Sequence, residues 1–184
     1  MQEERMMFVI DMVNGFVKEG ALADERINRI TPNIIDKIKE FSNDSLPIIS
    51  FRDCHKENDV EFETYPPHCI KGTSESELID ELKPFESLFI DIEKDTTNGF
   101  NTDTFKDYIS KNTFEEIVVT GCCTDICVET FAISLKDYFD KNDILTKIIV
   151  LENAVYTFDS DTHKALEVHK NSLETMKKHG IIIK

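Results

Sequence analysis

The sequence predicts an α/β fold: one six-stranded, mostly parallel sheet covered by helices on both faces. Three observations predict it. Apolar runs of strand length recur six times, amphipathic helical patterns fall between most of them, and residues able to do chemistry follow the runs at their carboxyl ends. Strand and helix alternating in this way call for crossover connections, and so for a parallel sheet buried on both sides.

The first run, residues 6–10, is wholly apolar and closes on Asp11, as a buried strand with an acid at its end would. Thr31 and Pro32 open a helix, with Thr31 as N-cap and Ile34, Ile35, Ile38 and Phe41 along one face. Residues 47–51 make the second strand and deliver Arg52, Asp53, Cys54 and His55 past its end. The polar segment 56–74 carries neither periodicity and reads as a loop. Ser74 and Glu77 have capping-box spacing, which predicts a short helix to Leu82. Residues 87–91 form a third strand, with Lys94 and a glycine-containing connection after it. A short helix is expected near 103–110. The β-branched run 117–119 is the fourth strand, broken by Gly121, and Thr124 caps a long helix through Val128, Phe131, Ala132 and Leu135. Residues 144–151 supply a fifth strand and 159–178 another helix, with Leu166 and Met176 among its apolar residues. Gly180 stops that helix before a last strand at 181–183.

At 184 residues the chain is long enough for one well-buried core, so 1–184 is expected to be a single domain. A formal charge of -15 without a basic stripe excludes nucleic acid and anionic lipid as natural partners. No apolar run reaches the roughly 18 residues a bilayer requires. The start, Met-Gln-Glu-Glu-Arg, is unlike a secretory leader, so the expected location is the cytoplasm. Five cysteines, two of them adjacent, do not suggest a disulfide framework, and reduced thiols are expected.

Cys127 falls at the third position of the predicted helix, near its positive end, where a thiol ionises more easily and can act as a nucleophile. On its own it reads first as a buried structural cysteine. Asp11 alone is a strand-ending cap, and Lys94 alone a surface lysine. Together, all placed after strands, they supply a base, a cation and a nucleophile for attack on a carbonyl carbon. A second constellation runs from Asp53-Cys-His55 to Pro66-Pro-His68, with Glu61 or Glu63 able to add a carboxylate. Mixed imidazole and carboxylate donors suit one divalent ion, zinc first, iron or manganese otherwise. The plainer alternative is a polar loop with two surface histidines. His163, His169 and His179 lie six and ten residues apart, off a common helical face, and are expected to be solvated. Cys122 and Cys123 read as small residues packed at a turn.

With these residues assembled, the chain resembles the isochorismatase-like cysteine hydrolases, and within them the nicotinamidase (pyrazinamidase) branch. The likeness spans nearly the whole length. It rests on Val9-Ile-Asp11-Met-Val-Asn-Gly-Phe16, Asp53-Cys-His55, Tyr65-Pro-Pro-His68-Cys-Ile-Lys-Gly-Thr73, Ile92-Glu-Lys94 and Gly121-Cys-Cys-Thr-Asp-Ile-Cys127-Val. The resemblance implies a Rossmann-like three-layer fold and a triad of Asp11, Lys94 and Cys127 that hydrolyses nicotinamide to nicotinate and ammonia through a thioester. It also implies a cis peptide at Cys122-Cys123, with the N–H groups of Cys123 and Cys127 receiving the oxyanion. The metal falls to Asp53, His55, Glu61 and His68, the aromatic walls of the substrate site to Phe16 and Tyr65, and a homo-oligomer is a family expectation. Cys54, Thr97 and the Cys122-Cys123 pair depart from the common pattern. Two other readings therefore stand beside nicotinamide hydrolysis: another amidase or carbamoylase on the same triad, and a catalytically silent binding relative.

Overall fold

The computed structural model describes residues 2–184, with side chains from Arg5 onward. Six strands, β1 (Gln2–Ile10), β2 (Ile48–Asp53), β3 (Phe89–Lys94), β4 (Thr113–Cys122), β5 (Lys147–Tyr156) and β6 (Ile182–Ile183), form one sheet in the order β3-β2-β1-β4-β5-β6. Every pairing in it is parallel. The helices are α1 (Asn14–Val17), α2 (Thr31–Asn43), α3 (Asp103–Lys111), α4 (Glu129–Lys141) and α5 (Ala165–Lys178).

Alternation along the central strands sorts the core into two layers, because successive side chains leave a strand on opposite faces. Met6, Phe8 and Ile10 of β1 pack with Phe105 of α3, Phe131 and Leu135 of α4, and Leu173 and Met176 of α5. Met7 and Val9 meet Ile34, Ile38 and Phe41 of α2 on the other face. On the first face Phe8, Phe51, Phe105 and Phe131 interlock, with ring centroids 4.7 to 5.8 Å apart. The order of the strands reverses direction between β1 and β4, and a parallel sheet opens a crevice at such a point.

Several local expectations are corrected. The helix expected over 74–82 is a single turn, Ser74–Ser76. Its backbone groups go instead to the segment after β1: Asn14 N–H donates to Glu77 O at 2.9 Å and Ile79 N–H to Met12 O at 3.1 Å. The α2 N-terminus is preceded by Ile30 rather than capped by Thr31, whose hydroxyl donates to Asn28 at 2.8 Å. The polar loop after His55 contains a 3-10 turn, Val60–Glu63, which presents Glu61. The last helix starts at Ala165, and Leu166 lies off its buried face and is exposed.

Gly121 does not end the fourth strand. β4 runs through it at φ +113, pressed against β1, and a Cβ at this position would lie 2.0 Å from Ile10 O. The strand closes on Cys122, and the Cys122-Cys123 peptide is cis.

Candidate active site

Because every strand points the same way, the ends of β3, β2, β1 and β4 meet at one edge in consecutive order. Lys94 ends β3, Asp53 ends β2 directly opposite it, Asp11 follows β1, and Cys127 lies in the turn after β4. Asp11 takes a left-handed backbone, φ 52, which aspartate tolerates better than most residues, while its N–H donates to Phe51 O at 3.0 Å.

Lys94 sits in the middle of the group, its ammonium fully shielded. Nζ lies 2.8 Å from Asp11 Oδ2, 2.8 Å from Asp53 Oδ1 and 4.0 Å from Cys127 Sγ, and it donates to Thr96 O at 3.1 Å. A buried ammonium is costly without partners, and two carboxylates supply them. Against the penalty of burial, Asp11, Cys127 and Asp53 hold Lys94 well above its ordinary pKa, so it stays charged. Burial raises the Asp11 carboxyl to about 6, with Lys94 opposing the rise and Asp53 adding to it. The Cys127 thiol is also pushed up by burial, more than Lys94 brings it down. The resting site at neutral pH is therefore thiol, carboxylate and ammonium. This departs from the expectation of a readily ionised cysteine: Cys127 is largely buried, and it lies within a π turn, Thr124–Val128, rather than in the first turn of an α-helix.

Asp53 links this triad to the histidines. Its Oδ2 lies 2.9 Å from His55 Nε2 and 3.1 Å from His68 Nε2, and one donor atom from each of the three residues falls within 4.8 Å of the others. Burial works against the Asp53 carboxylate, but Lys94 and both imidazoles hold its pKa well below the usual range. Without a cation, burial disfavours the His55 charge, yet Asp53 raises it to about 9, and His68 is raised by the same neighbour.

The donor set fits a divalent ion. His68 Nδ1 lies 2.8 Å from Pro66 O and His55 Nδ1 3.2 Å from Asp59 Oδ2, so each ring has an acceptor for one N–H and can turn the lone pair of Nε2 toward the cluster. Glu61 Oε2 lies 3.4 Å from His55 Nε2, on the same side.

A small cleft opens above both groups. Phe16, Leu22, Tyr65 and Ile126 form its apolar sides; Asp53, Glu61, His68 and Thr97 give it a polar flank, and Cys123 and Cys127 reach it from the turn after β4. The Phe16 and Tyr65 rings stand 5.7 and 6.3 Å from that of His68. All the expected site residues thus gather at one place.

An isochorismatase domain model matches residues 5–183. The chain belongs to the isochorismatase family. Nicotinamidase 1 of Arabidopsis thaliana is 32% identical over 180 residues, covering 88% of this chain and 73% of that protein. The crystal structure of N-carbamoylsarcosine amidase from Thermoplasma acidophilum superposes with a TM-score of 0.80 at 27% identity, over 98% of this chain and 95% of that one. That of pyrazinamidase of Pyrococcus horikoshii in complex with zinc gives 0.76 at 24% identity over 98% of each chain, a likeness of fold. Among the described residues no helix is long and apolar enough to cross a membrane.

What the sequence does not announce in this isochorismatase-family site is its support from α5. His169 is buried, not solvated, and its Nδ1 lies 2.9 Å from Thr124 Oγ1. Ser172 donates to Thr124 O at 3.0 Å, and His163, in the segment leading into α5, places Nε2 2.8 Å from Asp125 Oδ2. Thr124 therefore does not cap its own helix but anchors the cysteine turn to the last one. A signal is nonetheless present: His169 stands four residues from both Ala165 and Leu173, on the face α5 buries.

Proposed function

We propose that this protein is a metal-dependent cysteine amidohydrolase whose substrate is nicotinamide, released as nicotinate and ammonia. The observation that supports this reading best is the position of Lys94 Nζ, bonded to Asp11 and Asp53 alike and 4.0 Å from Cys127. One ammonium joins the nucleophile, its base and the metal cluster under a cleft with aromatic walls.

In this reading Asp11 takes the proton of the Cys127 thiol as sulfur attacks the carboxamide carbon. Lys94 holds Asp11 ionised until that moment and offsets the negative charge that moves onto sulfur. The tetrahedral oxyanion is received by the N–H groups of Cys123 and Cys127; an oriented donor of this kind is worth about 3 kcal/mol. Protonated Asp11 then hands its proton to the departing nitrogen, leaving ammonia and a Cys127 thioester. Water, deprotonated by Asp11, resolves the thioester to the acid. Asp53, His55 and His68, with Glu61 beside them, would hold a divalent ion, zinc first among the candidates, which would supply Lewis-acid chemistry for orienting the substrate ring. Phe16 and Tyr65 flank the ring and fix its plane, so that the carboxamide faces sulfur.

Ammonia release from nicotinamide tests the reading. The metal-loaded protein is expected to turn over, Cys127→Ala to lose activity by more than about 10⁴-fold, and chelation to abolish turnover until zinc is restored. Intact, metal-loaded protein that releases no ammonia from nicotinamide rules out this substrate. Hydrolysis of N-carbamoyl compounds is the second reading, favoured by the likeness to N-carbamoylsarcosine amidase and by the polar Glu61 and Thr97 flank of the cleft. Turnover of a carbamoyl compound that survives chelation would select it.

A pH dependence follows from Asp11. The base must be unprotonated in the free enzyme, and burial raises its pKa to about 6. The value of kcat/KM should therefore rise with pH through about 6 and level off toward neutrality. An acid limb lying near 4, the value of an ordinary exposed aspartate, would show that burial does not raise the Asp11 carboxyl in the working enzyme.

A further inference from the structure

We propose that Thr97 is a positioning residue for the metal centre, holding one oxygen of Glu61 so that the other is presented to the Asp53, His55 and His68 cluster. The inference rests on the metal reading above and adds to it a residue outside the ligand set.

Glu61 and Thr97 come from distant parts of the chain, one on the turn Val60–Glu63 and the other three residues beyond Lys94. Thr97 Oγ1 donates to Glu61 Oε1 at 2.8 Å. Glu61 Oε2 is buried and accepts no hydrogen bond among the described residues. A buried carboxylate oxygen without a hydrogen-bond donor is costly in water-poor surroundings, and a cation held by the cluster would satisfy it. The nearest imidazole atom to it is His55 Nε2, at 3.4 Å, on the side where His55 and His68 converge on Asp53.

Two restraints aim this carboxylate. Asp59 Oδ1 accepts from Glu61 N–H at 3.0 Å and fixes the backbone, while Asp59 Oδ2 reaches His55 Nδ1 at 3.2 Å. That leaves the terminal torsion of Glu61, which is broad and nearly two-fold in a free glutamate. The Thr97 hydroxyl removes this freedom. It also occupies Oε1, so Glu61 offers the cluster a single oxygen, and it does so with a neutral donor that leaves the carboxylate charge intact. Partners of this kind typically change metal affinity by about 10- to 100-fold.

The test measures zinc affinity, not turnover. Metal-free wild type, Thr97→Val, Thr97→Ser, Glu61→Gln and the Thr97→Val/Glu61→Gln double variant compete for zinc with a chromogenic chelator, and thermal melts of the metal-free forms check folding. Valine keeps the shape of threonine without its hydroxyl, and serine keeps the hydroxyl. Thr97→Val is expected to bind zinc about 10-fold more weakly or worse, Thr97→Ser close to wild type, and the double variant no more weakly than Glu61→Gln alone. Wild-type affinity in Thr97→Val, or a Thr97→Val loss that persists in full on the Glu61→Gln background, overturns the role of Thr97 and leaves the metal reading standing. A wild type that takes up no zinc overturns both.

Discussion

Replacing Lys94 with methionine is expected to abolish turnover and to lower the stability of the protein at the same time. Its ammonium is the shared partner of Asp11 and Asp53, 2.8 Å from each, and none of the three side chains has meaningful access to water. Methionine fills similar volume but leaves two carboxylates facing one another without the charge between them. Removing one member of a buried ion pair typically costs about 3 to 5 kcal/mol, because the remaining charge is stranded. The carboxylates have one escape, which is to take up a proton. Asp11 is already raised by burial and by Asp53, and loss of Lys94 removes the influence that restrains it. A protonated Asp11 cannot accept the thiol proton, so kcat/KM should fall by about 10³-fold or more near neutrality. Thermal unfolding and kinetics on the same preparation check both halves. A Lys94→Met variant that retains turnover would remove Lys94 from the mechanism, and unchanged stability would mean that the carboxylates are already neutral.

Gly121→Ala is expected to be the most damaging alanine substitution among the glycines. The added carbon would not meet a side chain that can rotate away but the backbone of β1, lying 2.0 Å from Ile10 O and 2.5 Å from Ile10 N. β1 and β4 are the central pair of the sheet, and Ile10 and Gly121 are partners in its register. Relief requires the two strands to part at the point from which Asp11 and the cysteine turn are displayed. The φ of +113 adds a conformational penalty for any L side chain. A loss above about 4 kcal/mol is expected, enough to prevent accumulation of folded protein. Gly72 is the control: its φ is +83, but an added Cβ would meet nothing within 4 Å, so alanine there should cost only about 1 kcal/mol. Chemical denaturation of the two variants beside wild type makes the comparison. Equal losses would show that backbone conformation, not contact with β1, sets the cost at Gly121.

The strands and the residues at their ends are legible in the sequence because two signals coincide there. Apolar runs mark what is buried, and a charged or thiol residue directly after a run has to be either paired or used. Asp11 meets that condition outright, Asp53 and Lys94 follow their runs within a few residues, and Cys127 is reached only after the turn that β4 leads into. The helix expected at 74–82 fails for the opposite reason: Ser74 and Glu77 have the right spacing, but the Glu77 carbonyl serves Asn14, some sixty residues earlier, and local pattern carries no trace of such a partner. Thr124 is a similar case. Its position favours a cap, yet its hydroxyl meets His169 at 2.9 Å on a helix that follows much later in the chain. His169 itself is misjudged when compared only with the other histidines, since its spacing from Ala165 and Leu173 places it on the buried side of α5.

The pairing of β2 with β3 sets Asp53 directly opposite Lys94, and that of β1 with β4 sets Ile10 opposite Gly121. In a sheet, a slip of one residue turns every side chain of the strand to the other face. A slipped β3 would carry Lys94 away from both carboxylates, and a slipped β4 would drive a side chain other than that of glycine into β1. Chemistry and correct alignment are thus inseparable in this molecule. Turnover per mole of protein, once calibrated against a fully active sample, becomes a census of correctly aligned chains, and partial activity after refolding reports a fraction of molecules rather than a uniformly weakened site.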